Sequence, residues 1–341
     1  MPSADRMDAK GRATFMSHSE SRSEHDGSGT TAAVNRWVSI IIPCRDAAKH
    51  VGALIDRLRL LRVPTGWAVE LIVGYQRSRD DTLRILKERG VTIAYCEEFG
   101  PGPARNAAVA ASRGALLVFI DSDARPTDDD WLVRVVTAAG ALGSFGGLGG
   151  PILLDPAQAR NPVAIADHFA CWFAWIPKRR SGKTLLFQPN TFFVMPRDVF
   201  DRVGGFDARF TVLQDFELQE RIKRAGLPLY FDNTLGVYHV ARGTLVSSLR
   251  HSWLWGCPYR EAYIVRREKR IWLFVHNPRL FMLNFPGIFL LRVAIVVGQA
   301  MRVSVWKTVY CLPFLLLTIF AWALGVVLGK GQPVAERTVR P

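Results

Sequence analysis

Four short apolar runs alternate with segments of helical spacing, and this alternation restricts the fold more than any other feature. The runs are residues 38–42, 69–73, 91–95 and 116–120. Helical spacing follows them at 48–61, from about 80, at 106–113 and from about 127. Continuous apolar runs predict strands buried on both faces, and strands that alternate with helices pair in parallel. We therefore predict an α/β fold with a doubly wound, mostly parallel sheet.

The pattern is less regular after Gly150. We predict a strand at 187–195, a turn at 203–207, a helix at 216–225 and short strands at 229–231 and 237–238. Residues 1–35 are rich in Ser, Asp, Arg, Gly and Thr, which predicts a disordered tail. We expect a catalytic domain over residues 36–245.

The last third of the chain is apolar. Residues 308–329 carry no charged side chain, and this segment is long enough to span a membrane. Residues 281–301 are nearly as apolar, but Arg292 interrupts them, so this segment either spans with Arg292 buried or lies in the interface. We expect one or two transmembrane helices within 281–329, preceded by a basic interface segment at 246–280 and followed by a cytoplasmic tail at 330–341.

The net charge of +14 is concentrated in the same region. Residues 241–341 contain fourteen Lys and Arg against three Glu and no Asp. Beside apolar spans, this charge favours a membrane surface over a nucleic acid, so we expect no nucleic-acid partner. The basic cluster at 266–270 should face the cytoplasm, and residues 1–35 lack the apolar core of a secretory signal. We therefore expect a cell-membrane protein with its catalytic domain on the cytoplasmic face. Five widely spaced cysteines favour a reducing compartment.

The carboxyl ends of the predicted strands are where such sheets bind ligands. Asp121 and Asp123 directly follow the fourth apolar run. Two carboxylates at this place can hold Mg²⁺ or Mn²⁺, which prefer oxygen ligands. The alternative is a plain turn that caps the helix predicted after it.

Two further segments carry candidate chemistry. Residues 100–106 open a helix with Gly, Pro and Arg105, a pattern that suits a phosphate group, although a turn with a solvated Arg105 fits it as well. Asp215 stands at the start of another predicted helix. It is either the helix cap or a general base, and the two roles are compatible.

Taken together, these motifs resemble family 2 glycosyltransferases with the GT-A fold. Residues 38–46 resemble that family's opening strand, and residues 102–106 its Gly-x-x-Ala-Arg-Asn element. Residues 119–123 resemble its Asp-x-Asp strand, residues 190–207 its acceptor-side segment, and Gln214-Asp215 stands where the family has Glu-Asp. The resemblance covers roughly residues 36 to 245.

The resemblance implies an inverting, metal-dependent transfer of a sugar from a nucleotide-diphosphate donor to a hydroxyl group. Asp215 would deprotonate the acceptor, while Asp123 and Asp121 would hold the metal. The donor would be bound by six residues: Pro43, Arg45, Asp46, Gln76, Arg105 and Asp121. The acceptor side would include Asn190, Gly205 and Phe206. Together with the apolar C-terminal third, this implies a lipid-linked or cell-envelope glycan as acceptor.

The sequence departs from the family pattern in two places. Residues 74–78 replace the usual Asp-Asp pair, although Gln76 can hydrogen-bond a base and Tyr75 can stack on one. Residues 251–255 lack the Gln-x-x-Arg-Trp motif of processive synthases, which predicts the transfer of a single sugar. Two other classes stay open at this point: a sugar-phosphate nucleotidyltransferase, and a non-catalytic membrane-bound scaffold of the same fold.

Overall fold

The computed structural model describes residues 36–210, 212–259 and 276–329. They form two compact units, each made from separate stretches of chain. The first contains residues 36–150 and 181–237, and the second contains 151–180 and the described residues from 238 onward. The predicted tails at 1–35 and 330–341 and the basic cluster at 266–270 lie outside the described residues. The domain boundaries at 245 and 280 stay predictions.

The first unit is built on a large sheet with helices. Its strands are β1 (Trp37–Cys44), β2 (Ala68–Tyr75), β3 (Thr92–Tyr95), β4 (Leu116–Ile120), β5 (Ala124–Pro126), β6 (Gly147–Gly149), β8 (Gly182–Thr184), β9 (Phe192–Pro196) and β10 (Leu229–Phe231). Its helices are α1 (Val51–Leu58), α2 (Thr82–Glu88), α3 (Pro101–Ala110), α4 (Trp131–Ala141), α6 (Arg197–Val203) and α7 (Gln214–Arg224).

Eight of these strands form one mixed sheet in the order β3-β2-β1-β4-β9-β6-β10-β8. The pairs β1–β2, β1–β4, β2–β3 and β6–β10 are parallel, whereas β9 runs antiparallel to both of its neighbours. Phe119 of β4 is fully buried, with its ring centroid 5.4 Å from that of Phe206 and 6.4 Å from that of Phe193. The α/β sheet predicted from the alternating pattern is confirmed.

Three predicted boundaries are wrong in detail. β1 continues through Pro43 to Cys44. Because its pairing with β4 ends at Ile41, the missing N–H of Pro43 removes no hydrogen bond to β4, and the strand continues paired with β2 alone. Helix α3 begins at Pro101 rather than at 106, since proline suits the first turn of a helix. The strand predicted from 187 begins at 192, because Gln188 instead forms backbone hydrogen bonds with the Gln219 side chain.

The second unit is mainly helical. Its helices are α5 (Pro162–Trp172), α8 (Leu245–Gly256), α9 (Pro278–Phe281), α10 (Phe285–Val303) and α11 (Val305–Leu328). Its short strands β7 (Ile152–Leu154) and β11 (Val237–His239) are neighbours in a small sheet. Backbones of α8 and α11 approach closely at Gly256 and Gly325, where an added Cβ would lie 2.2 and 2.3 Å from carbonyl oxygens of the facing helix.

Two segments of the second unit are long and apolar enough to cross a membrane. They are Arg279–Val303, with 25 residues, and Val305–Leu328, with 24 residues. Arg292 donates a hydrogen bond to the Ala170 carbonyl oxygen at 2.9 Å. Its guanidinium lies 4.2 Å from the ring centroid of Phe173 and 4.3 Å from that of Trp322. The charge that interrupts the first segment is therefore turned toward protein groups.

Candidate functional site

The loop that follows β1 is tied to the loop that follows β2. Arg45 and Asp46 are exposed, while Pro43 is buried within β1. The Asp46 carboxylate accepts a hydrogen bond from the Arg79 backbone at 2.7 Å, and the Asp46 backbone donates to Ser78 Oγ at 3.0 Å. Asp46 has a positive φ of 49°, a conformation that Asp tolerates better than most residues. The two loops therefore form one ledge at the carboxyl edge of the sheet.

Gln76 is buried at the end of β2, and its amide binds backbone rather than pointing into solvent. Its Nε2 donates to the carbonyl oxygen of Gly100 at 3.0 Å and also to that of Glu98. Tyr75 accepts a hydrogen bond from the Ser78 backbone and packs edge-on against Tyr95. Gln76 thus supports the loop that leads into α3, and Tyr75 supports the loop that follows β2; the sequence did not reveal these structural roles of the two side chains. Their predicted contact with a base stays a prediction.

Helix α3 carries a buried guanidinium. Arg105 is 2% exposed, and its Nη2 donates to Asp121 Oδ1 at 2.6 Å. Its Nε and Nη1 have no hydrogen-bond partner within the part of the chain that the structure describes. The helix can lie this close to the sheet because Gly74 faces it: a Cβ there would be 1.9 Å from the Ala104 carbonyl oxygen. Arg105 therefore brings a positive charge and two unused donors to the carboxyl end of β4.

Asp121 and Asp123 follow β4 as the sequence predicted. Both oxygens of Asp121 are held, one by Arg105 and the other by the Thr191 hydroxyl at 3.0 Å. Asp123 is partly exposed. Among residues 36–210, 212–259 and 276–329, no cluster of three metal-ligating side chains includes this pair. Two carboxylates suit Mg²⁺ or Mn²⁺ when phosphate oxygens and water complete the coordination shell, so the donor set fits such an ion.

The predicted acceptor-side residues lie near the same edge. Asn190 is 2% exposed, and neither its Oδ1 nor its Nδ2 has a hydrogen-bond partner among the described side chains and backbone. Phe206 is fixed by Asn106 of α3, whose amide donates to the Phe206 carbonyl oxygen at 2.7 Å and accepts from its N–H at 2.9 Å. Gly205 has a φ of 67°, which a side chain would strain. This turn joins the acceptor-side segment to the helix that carries Arg105.

Asp215 lies in the first turn of α7 and is not its cap. The N-cap residue is Leu213, which supplies no side-chain hydrogen bond, so the capping interpretation is wrong. The Asp215 carboxylate accepts the Phe216 N–H at 2.8 Å. Burial raises the pKa of this carboxyl above its ordinary value; the Phe216 hydrogen bond and the charge of Arg105 oppose that shift, while the charge of Asp121 adds to it. A carboxylate with a raised pKa is a stronger base.

Gln188, Thr191 and Gln214 also belong to this edge, although no sequence pattern predicts a role for them. Gln188 and Gln214 each carry a buried Oε1 without a hydrogen-bond partner in the described chain. An amide or hydroxyl group has no fixed spacing signature, so its position follows only from the fold. One indication of them is present in the sequence: each lies within or next to a segment in which another residue or a strand was predicted.

The comparisons with known proteins agree with this fold. Residues 39–209, half of the chain, match the sequence model described as Glycosyl transferase family 2, and the chain belongs to that family. Its fold is GT-A. The mannosyltransferase PcManGT from Pyrobaculum calidifontis, solved in complex with GDP-Man and Mn²⁺, is similar with a TM-score of 0.53 and 16% sequence identity. That similarity covers 85% of this chain and 86% of the mannosyltransferase.

Two relatives are similar in sequence over more than half of the chain. The O-antigen biosynthesis protein RfbC of Myxococcus xanthus is 26% identical over 209 residues, which is 56% of this chain and 16% of RfbC. The succinoglycan biosynthesis protein ExoA of Rhizobium meliloti is 26% identical over 215 residues, which is 61% of this chain and 64% of ExoA. The chain therefore spans less than two thirds of either relative.

Proposed function

We propose that the protein is a membrane-anchored, inverting glycosyltransferase that moves one sugar from a nucleotide-diphosphate donor to an acceptor hydroxyl. The observation that carries this proposal is the ion pair of buried Arg105 with the partly exposed Asp121, with Asp123 two residues beyond it and Asp215 coupled electrostatically to both members. A binding cation, a metal-binding carboxylate and a base of raised pKa are the three groups that this transfer needs.

The diphosphate of the sugar donor would bind beside the Nε and Nη1 nitrogens of Arg105. Because Nε and Nη1 have no partner in the described part of the chain, the guanidinium can donate to phosphate oxygens while Nη2 keeps its bond to Asp121. The nucleoside would lie on the ledge formed by the loops after β1 and β2, beside Arg45 and Asp46. The Arg45 guanidinium lies 4.5 Å from the ring centroid of Phe99, so an aromatic surface is also present there.

Asp123, with Asp121 beside it, would hold one Mg²⁺ or Mn²⁺. A bound ion of this kind neutralises the charge that develops on the departing diphosphate. Asp121 is positioned for this by two hydrogen bonds, from Arg105 and from Thr191, which fix its carboxylate plane. Asp123 follows two residues later and is also partly open to solvent. We therefore assign the direct ligand role to Asp123 and the orienting role to Asp121.

Asp215 would act on the acceptor. Its carboxylate takes the proton from the acceptor hydroxyl as that oxygen attacks the anomeric carbon of the donor sugar. A new bond forms between the acceptor oxygen and the anomeric carbon while the bond from that carbon to the diphosphate oxygen breaks, which inverts the configuration. The buried amide of Asn190 and the turn at Gly205 and Phe206 would line the acceptor side.

The acceptor would be lipid-linked or part of a cell-envelope glycan. Apolar side chains on α10 and α11 are exposed, among them Leu290 at 63% and Trp306 at 76%, and lipid suits such surfaces better than water does. RfbC and ExoA, the relatives named for O-antigen and succinoglycan biosynthesis, support a polysaccharide product. We infer that the catalytic unit works on the cytoplasmic face, where nucleotide sugars are made.

The experiment is a donor screen on membranes that contain the full chain. Radiolabelled UDP- and GDP-sugars are supplied with Mn²⁺ or Mg²⁺, and lipid products are analysed by mass spectrometry. We expect one donor to label a glycolipid with a single sugar, and Asp123→Ala and Asp215→Asn to abolish labelling. Asp198→Asn, which removes an exposed carboxylate of the same unit, is the control. Full labelling in both active-site variants, or release of pyrophosphate in place of a nucleoside diphosphate, would contradict the proposal.

A further inference from the structure

A second group of metal-ligating side chains lies in the helical unit and shares no residue with the set assigned to sugar transfer. Asp167 and Cys171 stand four residues apart on α5, so they share one face of that helix. His251 of α8 faces them. Ligand atoms of these three side chains all lie within 4.8 Å of one another, and theirs is the only such group of three in the described chain.

The distances within this group resemble those around a single ion. His251 Nδ1 is 3.4 Å from Asp167 Oδ1 and 3.9 Å from Cys171 Sγ. Around a tetrahedral Zn²⁺, bonds of about 2.0 Å to nitrogen and oxygen and about 2.3 Å to sulfur place neighbouring ligand atoms about 3.3 to 3.6 Å apart. One ion therefore fits between these atoms after small side-chain shifts.

The burial of these side chains is a second reason to expect a bound metal ion. The Asp167 side chain is 2% exposed, and Cys171 is also buried. Besides its contact with His251, Asp167 accepts hydrogen bonds from two neutral donors: the Ser248 hydroxyl at 2.9 Å and the Arg242 backbone N–H at 3.0 Å. A buried carboxylate is stable only when it is paired or bound to a metal. Hydrogen bonds from Ser248 and Arg242 are also the kind of outer support that orients a ligating carboxylate.

Space for a fourth ligand is present beside the thiol. Cys171 lines a cavity of about 10 Å³ together with Ser252 and Arg292. That volume is near the minimum for one water molecule, and the mostly apolar lining includes the polar groups of Ser252, Arg292 and Cys171. Three protein ligands and one water complete a tetrahedral shell without another side chain.

We propose that Asp167, Cys171 and His251 bind one Zn²⁺, which joins α5 to α8. The mixed oxygen, sulfur and nitrogen set favours zinc over Mg²⁺ or Mn²⁺, which prefer oxygen alone. This ion is separate from the one assigned to Asp123, and its role is structural: it links helices that are far apart in sequence. The proposal does not depend on the assigned sugar transfer.

The test measures the metal content of the full chain purified in detergent and desalted. We expect one Zn²⁺ per chain in the wild type, and the same in Cys257→Ser and in Asp123→Ala. Zinc should fall about tenfold or more in Cys171→Ser and His251→Gln. Replacement of the metal by Co²⁺ should give the near-ultraviolet charge-transfer band of a cobalt thiolate in the wild type and in Cys257→Ser.

The wild type alone decides the question if the ligand variants do not fold. Zinc retained through gel filtration, with a cobalt–thiolate band and a lower melting temperature after chelation, supports the site. A wild-type chain that carries no zinc and gives no such band overturns it, since the three side chains then form a metal-free hydrogen-bonded group. Zinc bound equally by the wild type and Cys171→Ser overturns it as well.

Discussion

Arg105→Lys separates the charge of this side chain from its geometry. Lysine keeps the positive charge beside Asp121 but replaces a planar fork of five donors by one ammonium group. In the wild type, Nη2 binds Asp121 at 2.6 Å, and two further nitrogens have no partner in the described chain. If both bind the donor diphosphate, the substitution removes two charge-assisted hydrogen bonds.

The size of the effect follows from those two bonds. Each is worth about 1.5 kcal/mol or more, so the variant loses about 3 kcal/mol of binding to the diphosphate. This loss corresponds to about a hundredfold or larger decrease in kcat/KM and in affinity for the nucleoside diphosphate. Asp121 keeps its hydrogen bond from Thr191, so we expect a much smaller change in thermal stability.

The assay combines calorimetric binding of UDP and GDP in the presence of Mn²⁺ with donor turnover. Arg62→Lys is the matched control, because Arg62 forms an exposed ion pair with Asp130 in the same unit. A change within about twofold in both variants, the size expected of a surface substitution, would refute the assignment of Arg105 to the diphosphate. A loss confined to turnover, with unchanged binding, would also refute it.

Four other substitutions have definite expected outcomes. Asp215→Asn should abolish turnover without lowering the melting temperature. Burial raises the pKa of this carboxyl, so its ionised form destabilises the fold at neutral pH, and this cost is relieved as pH falls through the raised pKa toward the ordinary Asp pKa. For the same reason, the acid limb of wild-type kcat/KM should lie above the ordinary Asp pKa; a limb at or below it, or a less stable variant, would contradict this. Gly74→Ala should destabilise the chain by about 1 to 3 kcal/mol, because the Cβ would be 1.9 Å from the Ala104 carbonyl oxygen. Gly140→Ala, with open space at the Cβ position inside α4, should stabilise by about 0.5 to 1 kcal/mol, and equal melting temperatures of the two variants would refute the packing argument. Arg292→Gln should lower the melting temperature in detergent, since it removes the cation from two aromatic rings; no change would show that these contacts contribute little.

The parallel half of the sheet was predictable because its strands are buried on both faces and are therefore apolar runs in the sequence. β1, β2 and β4 are nearly continuous apolar runs, and the predicted strands fall within their observed limits. The positions of Asp121 and Asp123 then follow, since a strand end fixes where the next residues lie. In this part of the chain, local pattern and tertiary structure agree.

Helix α5 was not predicted because nearly all of its surface is buried. Its residues from Ala164 to Trp172 are all buried, so the one-sided apolar spacing that indicates a surface helix is absent. The same burial conceals the Asp167 group, whose third member, His251, lies 84 residues from Asp167. The role of Gln76 could not be predicted for a different reason. The carbonyl groups that it binds belong to a loop, and no local sequence pattern predicts the path of that loop.

The position of β9 sets an order of events during synthesis. This strand pairs with β4 on one side and β6 on the other, yet both neighbours leave the ribosome before it does. Until residue 196 has emerged, the apolar strand β4 has one unpaired edge, which is a hazard for aggregation. β10 ends at Phe231 and α10 begins at Phe285, so the first long apolar helix starts about fifty residues after β10, or roughly 3 to 10 s later at usual rates of synthesis. The sheet can therefore be complete in water before any membrane-length helix has been made.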